Sequence, residues 1–329
     1  MAETTSRKSW QLVADVGGTN ARFAKKLGGS NRLFEIATIS VSGHKHFSMA
    51  LAEYLKDKNS GEWEALPAAA CFAVACRVDH DEIRFTNSPW VFTRDEVVAM
   101  LGGTTLELIN DFAAKGYGIA ELSHEDWQQV GGTNPVPDKP AVIIGPGTGL
   151  GVSIVVPAHE CYVVLDGEGG HVDFAPLTRE EFAVMEILAA RFGRVSIERL
   201  LCGNGLVNIY QALGSIRQVE AKQSTPEAVS KAGMNGSDAL AAQTLQLFCR
   251  VLGSVAGNLA LTAGALGGVY ITGGIVPGML DFFRASEFRA RFEAKGRFCN
   301  YLARIPVRVV TRQDLGLLGA ANRLTLAGH

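Results

Sequence analysis

A strand, a glycine-rich turn and a returning strand occur twice in this chain of 329 residues, and that repetition constrains the fold more than any other feature. Trp10 to Ala14 reads as a short apolar strand ending in Asp15-Val-Gly-Gly-Thr19, with Asn20 to Lys26 as its partner. The pattern returns 130 positions later as Ala141 to Ile144, the turn Gly145-Pro-Gly-Thr-Gly-Leu-Gly151, and Val152 to Val156. Glycine lets backbone N–H groups approach an anion and tolerates positive φ, so such turns can cradle phosphate. Neither turn contains Gly-Lys-Ser/Thr, which excludes the Walker pattern, and the third Rossmann glycine would fall on Leu150. Both turns join strand to strand, whereas Walker and Rossmann loops open helices. One such hairpin alone reads as an ordinary turn. Two, each with a Thr hydroxyl, suggest two fingers on one polyphosphate.

The rest of the chain alternates strands and helices, which indicates an α/β protein. Leu33 to Ile39 reads as a third strand, His46 to Lys58 as helical, and Pro67 to Cys76 as a buried strand. Thr93-Arg-Asp-Glu96 and Thr178-Arg-Glu-Glu181 both carry the reciprocal capping pattern at a helix start, with Gly102-Gly103 and Gly193 as the corresponding stops. The strand Thr105 to Ile109 delivers Asn110 and Asp111 at its carboxyl end, where α/β sheets collect ligands, and a helix follows from about Phe112. The turn-rich segment Gly131 to Pro140 reads as a connection between two folded blocks. Stretches 205–214 and 238–263 read as helices, Val269 to Thr272 as a strand ending in Gly273-Gly274, Val307 to Thr311 as another, and Asp314 onward as a closing helix. Val251 to Leu280 has no charge over a length that could cross a bilayer. Its eight glycines, Pro277 and interspersed polar residues make it instead a buried helix, a turn, a strand and a second turn.

Composition narrows the partners. With 31 basic against 33 acidic residues and a net charge of −2, the chain has no general attraction for nucleic acid or an anionic membrane. The six cysteines are scattered, mostly in apolar surroundings, with no Cys-x-x-Cys pair, so neither a disulfide framework nor a zinc site is indicated. Cys71 and Cys76 read as strand packing. The polar N-terminus has no apolar stretch behind its basic residues, which gives a cytoplasmic location as the expectation.

Five spaced motifs, Asp15-Val-Gly-Gly-Thr-Asn-Ala-Arg22, Ile109-Asn-Asp-Phe112, Gly145-x-Gly-Thr-Gly-Leu-Gly151, Gly167-Glu-Gly-Gly-His-Val-Asp-Phe-Ala-Pro176 and Gly273-Gly-Ile-Val-Pro277, resemble bacterial ATP-dependent glucokinases, in order, over nearly the whole chain. The resemblance implies a two-lobed actin-like ATPase (ribonuclease H-like) α/β fold with an interlobe cleft. The small domain would comprise 1–121 plus 312–329 and the large domain 122–311. ATP and glucose would bind in the cleft, and closure on the sugar would exclude water. The product would be glucose 6-phosphate, made in the first step of glycolysis, and the resemblance favours a homodimer through the larger lobe.

The resemblance also implies roles. Asp111 would be the general base, with Asn110, Glu168, His171 and Glu198 holding sugar hydroxyls alongside it. Asp15, Val16, Gly17, Gly18, Thr19, Asn20, Gly147, Thr148, Gly149, Gly273 and Gly274 would hold the nucleotide. Asp15 would face the metal–phosphate end through water, Mg²⁺ would arrive with the nucleotide, and no protein-built metal site is implied. Local sequence leaves alternatives open. Asp111 could cap the helix from Phe112, His171 could be a structural histidine, and Glu198 could be a solvated helical residue paired to a nearby arginine. Several positions depart from the family pattern: Pro146 in the second turn, Cys202-Gly-Asn204-Gly in place of Ser-Gly-Pro-Gly, Arg194 where His is frequent, and Arg77-Val-Asp79 in place of a Pro-containing loop. Two rival readings are a kinase for another hexose or N-acetylhexosamine and a non-catalytic sugar sensor or repressor. Against the repressor, only nine residues precede the first strand, too few for a DNA-reading helix pair, and Asp111 is present.

Overall fold

The computed structural model describes residues 7–57, 62–85, 88–159 and 161–328. The chain divides into two compact units, Met1–Ser123 with Arg312–His329, and His124–Thr311.

Among the described residues, the first unit contains β1 (Gln11–Val16), β2 (Asn20–Lys26), β3 (Leu33–Ser40), β4 (Ala69–Val74), the short pair β5 (Glu82–Arg84) and β6 (Val91–Thr93), and β7 (Thr105–Asn110). The main sheet runs β3-β2-β1-β4-β7. The first three strands are antiparallel neighbours, whereas β4 and β7 are parallel to β1. Strand alternation assigns the faces. Leu12, Ala14 and Val16 pack with Phe23, Phe72 and residues of the helix Phe47–Asp57. Val13, Ala24 and Cys71 pack on the opposite face against Leu317, Ala320, Ala321 and Leu324 of the C-terminal helix Leu315–Leu326. Asp15 therefore shares the face that the C-terminal helix covers.

The second unit contains β8 (Trp127–Gln129), β9 (Ala141–Pro146), β10 (Leu150–Ala158), β11 (Cys161–Gly167), β12 (Gly268–Ile271) and β13 (Val307–Val310). Its sheet order is β11-β10-β9-β12-β13-β8. Apart from the antiparallel edge strand β8, order and sense repeat those of the first unit: an antiparallel meander of three strands, then two strands parallel to the first. The tandem hairpins of the sequence are thus the opening strands of two sheets with one topology. One face, Val142, Ile144, Val152, Val269, Ile271, Val307 and Val309, is buried in a core with the helices Gly203–Arg217 and Ala239–Ala263. The second of these is long and apolar enough to span a bilayer, and most of it is buried in the protein; it includes the first part of the uncharged stretch Val251 to Leu280, which continues through a turn into β12 and a second turn.

Three expectations change, and one strand is added that the sequence did not mark. Gly131 to Pro140 lies inside the second unit, where Thr133 N–H donates to the Arg304 carbonyl and Val136 N–H to the Leu266 carbonyl. Thr93 and Glu96 form the full reciprocal cap, but Thr178 forms half of one. Thr178 accepts from Glu181 N–H, while the Glu181 carboxylate takes Leu177 N–H at 2.7 Å and Arg291 at 2.8 Å. A carboxylate that is 1% exposed needs a cationic partner more than a cap does. Cys161 and Cys299 are exposed, so the cysteines are less uniformly buried than their neighbours suggest. Strand β11, with alternating exposure and two charged or turn-forming residues at its end, has no clear strand signature and emerges only through its pairing with β10.

Candidate active site

In the first unit, the Asp15–Thr19 turn closes with Gly17 N–H donating to the Asn20 carbonyl at 2.9 Å. The Thr19 carbonyl is held by Val41 N–H, and the Val16 carbonyl by Ala75 N–H. Thr19 and Asn20 are exposed, whereas Val16 is fully buried, so the side chain of Val16 packs in the core and cannot touch a ligand. Asp15 faces Arg22 across the strand pair, with Nη1 3.6 Å from its Oδ2. Burial pushes the Asp15 carboxyl above its ordinary value, and the nearby Asp111 charge adds to this. Lys115 and Arg22 oppose it. The C-terminal helix approaches Asp15 so closely that a Cβ on Gly316 would lie 2.6 Å from Oδ2.

At the end of β7, Asn110 rather than Asp111 is the helix cap. Asn110 Oδ1 accepts from Phe112 N–H at 2.8 Å and Ala113 N–H at 3.3 Å, and its Nδ2 donates to the Cys76 carbonyl. Asp111 is the first residue of the helix Asp111–Gly118. Its carboxylate is relieved of capping and meets Lys115 Nζ at 3.5 Å. The capping alternative for Asp111 is therefore replaced by a division of labour: Asn110 fixes the backbone and Asp111 presents the carboxylate. Lys115 itself was signalled by the i, i+4 spacing of Asp111 and Lys115, which places both on one helix face. Its ammonium also lies over the Phe112 ring, 3.7 Å from the centroid.

In the second unit, Gly147 N–H donates to the Gly149 carbonyl at 2.8 Å, and Gly203 N–H donates to the Gly147 carbonyl at 2.9 Å. The Thr148 side chain is exposed. Gly273 has φ +84°, and an added Cβ would lie 2.4 Å from the Pro146 carbonyl oxygen, so only glycine suits that turn. Gly274 precedes the short helical turn Ile275–Gly278. These turns border a cavity of about 540 Å³, into which Asn204, Glu227, Ser230 and the half-exposed Met234 also face. Its mixture of glycine turns and apolar walls suits a nucleoside with phosphates. Cys202 caps the helix Gly203–Arg217, with its sulfur accepting from Gly205 N–H at 3.3 Å, the position the family pattern gives to a hydroxyl.

Glu168 and His171 flank a single 3₁₀ turn, Gly169–His171. Both side chains are well exposed, and their nearest charged atoms are 3.9 Å apart. The two glycines seat this turn on β10: a Cβ on Gly170 would lie 2.1 Å from the Leu150 carbonyl oxygen, and one on Gly169 2.7 Å from Val152 Cβ. The helix Arg179–Phe192 stops at Gly193, φ +75°, and the chain returns beside the Glu168–His171 turn. Phe174 N–H donates to the Val195 carbonyl and Ile197 N–H to the Val172 carbonyl, which brings Glu198 to the start of β10. Glu198 Oε2 accepts from Leu150 N–H at 2.8 Å. It lies in the single 3₁₀ turn Ile197–Arg199, half-buried, with its carboxylate on that backbone amide rather than free in solvent. Arg194 is a brace that the sequence marks only as a departure, with Nε on Asp173 Oδ1 at 2.7 Å and Nη2 on the His171 carbonyl at 2.5 Å.

Within each unit, then, the expected residues gather at a sheet's carboxyl end: Asp15 to Asn20 with Asn110 and Asp111 in the first, and the two glycine turns with Glu168, His171 and Glu198 in the second. The doubled sheet topology with a glycine hairpin opening each half defines the actin-like ATPase fold. A solved glucokinase from an Antarctic psychrotroph shares it at TM-score 0.85, with 32% identity over 97% of this chain and 99% of its own. A ROK family glucokinase from Streptomyces griseus, solved with glucose and AMPPNP, shares the fold at TM-score 0.62 and 18% identity, over 96% of this chain and 99% of its own. The chain belongs to the glucokinase family, whose model matches residues 12–327. Among curated relatives, the glucokinase of Hahella chejuensis is 45% identical over 319 residues, covering 97% of this chain and 98% of its own length.

Proposed function

We propose that the protein transfers the γ-phosphoryl group of ATP to the 6-hydroxyl of D-glucose, giving glucose 6-phosphate and ADP at the entry to glycolysis. Family membership supports the reaction, and the glucose and AMPPNP bound by the Streptomyces griseus relative support the substrate pair. One observation carries the assignment of the base: Asn110 takes the capping duty, so Asp111 holds a half-buried carboxylate at a strand's carboxyl end with only the helix start behind it. Asp111 accepts the O6 proton as O6 bonds to the γ-phosphorus and the bond from that phosphorus to the β-phosphate bridging oxygen breaks. Lys115, one turn along, pairs with the Asp111 carboxylate at 3.5 Å and holds it beside the helix start. Asn110, Glu168, His171 and Glu198 take up the sugar hydroxyls. Such groups accept and donate to several hydroxyls at once, so a polyol lacking one leaves a polar partner unpaired.

The backbone of Gly17, Gly18, Thr19 and Asn20, next to Val16, and that of Gly147, Thr148 and Gly149 serve the phosphates, and Gly273 and Gly274 border the nucleoside. Oxygen donors suit Mg²⁺, and the buried Asp15 carboxyl, held above its ordinary value, gains from a neighbouring cation. Asp15 would hold Mg²⁺ through its waters, where the ion would neutralise phosphate charge. The two units serve as the small and large domains. The enzyme is cytoplasmic and works as a homodimer, which light scattering on the purified protein checks. The reaction is tested by a coupled glucose 6-phosphate assay with ATP across glucose, fructose, mannose and N-acetylglucosamine. Asp111→Ala should lose about 10²–10⁴-fold in kcat, and near wild-type turnover would refute the base assignment.

A further inference from the structure

Glu198 stands at the junction of two sites. One carboxylate oxygen accepts Leu150 N–H at 2.8 Å, at the exit of the glycine turn assigned to phosphate. Five residues later, Gly203 N–H donates to the Gly147 carbonyl at the entrance of the same turn, and Gly203 and Asn204 line the nucleoside cavity. Residues 198–203 therefore bracket the turn at both ends. The fit at Glu198 is close: a Cβ on Gly149 would lie 2.7 Å from Glu198 Oε2. Gly149 thus has a second duty, distinct from any approach to phosphate, which is to admit this carboxylate. The other face of the junction is the sugar loop, since Gly170 rests on the Leu150 carbonyl and the segment leading to Glu198 bridges to Val172–Phe174.

A carboxylate has two oxygens and about four acceptor positions, so one oxygen can hold the turn while the other takes a sugar hydroxyl. Restricting Glu198 from the sugar side then restricts the Gly147–Leu150 backbone, and the second ligand meets a turn whose ordering cost has already been met. We propose that Glu198 couples sugar occupancy to nucleotide affinity through Leu150 N–H, so that the acceptor sugar tightens the donor site and the donor tightens the sugar site by the same factor. The inference rests on the glucose and ATP reading above.

The test is calorimetric binding of a non-hydrolysable ATP analogue, AMPPNP, with and without saturating glucose, beside glucose binding with and without the analogue. Wild type should show at least a fivefold reciprocal tightening, within the usual span of linked sites. Glu198→Gln keeps an acceptor for Leu150 N–H and should keep most of that factor. Glu198→Ala, measured at glucose saturation, should bring it close to one. Gly149→Ala, which retains Glu198 but evicts its carboxylate from the turn, should do the same. A wild-type factor of one, or an undiminished factor in both Glu198→Ala and Gly149→Ala, overturns the coupling. If glucose and the analogue bind and glucose is phosphorylated, that failure belongs to the coupling alone. If glucose neither binds nor turns over in the wild type, the functional reading fails with it.

Discussion

Gly319→Ala tests whether the position of Asp111 is set by helix packing. In the first unit, the C-terminal helix crosses the helix Asp111–Gly118 where both carry glycine. A Cβ on Gly319 would lie 1.6 Å from the Ala114 carbonyl oxygen, and one on Gly118 2.6 Å from the Leu315 carbonyl oxygen. The obstacle is backbone, so no rotamer change relieves it. Restoring ordinary contact requires the helices to part by about 1.8 Å, and interiors packed to crystal density resist such a shift. Overpacking of this kind costs about 1–3 kcal/mol, against which the better helix propensity of alanine returns about 0.5–1 kcal/mol, so the variant is destabilised. Ala114 lies one turn beyond Asp111 on the same helix, and the carboxylate moves with it. A displacement of about 1 Å at a reacting group can lose about 10²-fold in rate, so kcat for glucose should fall by at least that much. Gly43→Ala, where an added Cβ meets nothing within 4 Å, is the control for both stability and rate. Urea midpoints and coupled-assay kinetics measure the two effects. A Gly319→Ala enzyme with unchanged midpoint and kcat within twofold of wild type would show that this crossing does not position Asp111.

Two further outcomes follow from charges elsewhere. Lys26 is fully buried, its ammonium bonded to the Ala321 carbonyl at 3.1 Å and Thr325 Oγ1 at 2.9 Å, and burial lowers its pKa from 10.5 to about 8. Between pH 8 and 10.5 the unfolded chain binds the proton that the folded chain has released, so this residue makes stability rise with pH, by up to about 3 kcal/mol. Lys26→Met should remove that rise, and parallel wild-type and variant stability curves from pH 7.5 to 10.5 would contradict it. Arg194→Ala should raise the glucose KM several-fold with little change in kcat or in the ATP KM, because it frees the His171 backbone and leaves Asp111 untouched. Arg194→Lys should restore only part, since one ammonium cannot reproduce the two directed guanidinium bonds.

Much of the site was legible because its signals are local. Thr93 and Glu96 are three apart, and the reciprocal cap they predict needs only one turn of helix. The two glycine hairpins announce themselves by alternating apolar residues around short turns, and β1 with β2 and β9 with β10 follow directly. Asp111 and Asn110 were placed at the end of a strand by the change from strand to helix periodicity around them. What the sequence could not apportion was which neighbour does which task, because adjacent Asn and Asp are both good caps. The backbone geometry at Asn110 chose, with Phe112 N–H and Ala113 N–H both converging on its oxygen.

The sequence by itself determined the repeated strand-turn-strand units, the helix starts and the chemical types available to a sugar and a polyphosphate, since each follows from residues within a few positions of one another. Only the tertiary structure decided that Glu181 serves Arg291 as well as a backbone amide, that Glu198 fastens the glycine turn 48 residues upstream, and that the last helix covers the face of β1 on which Asp15 lies. Those partners are set by which surfaces pack, and a buried carboxylate takes whichever donor the packed backbone brings within reach.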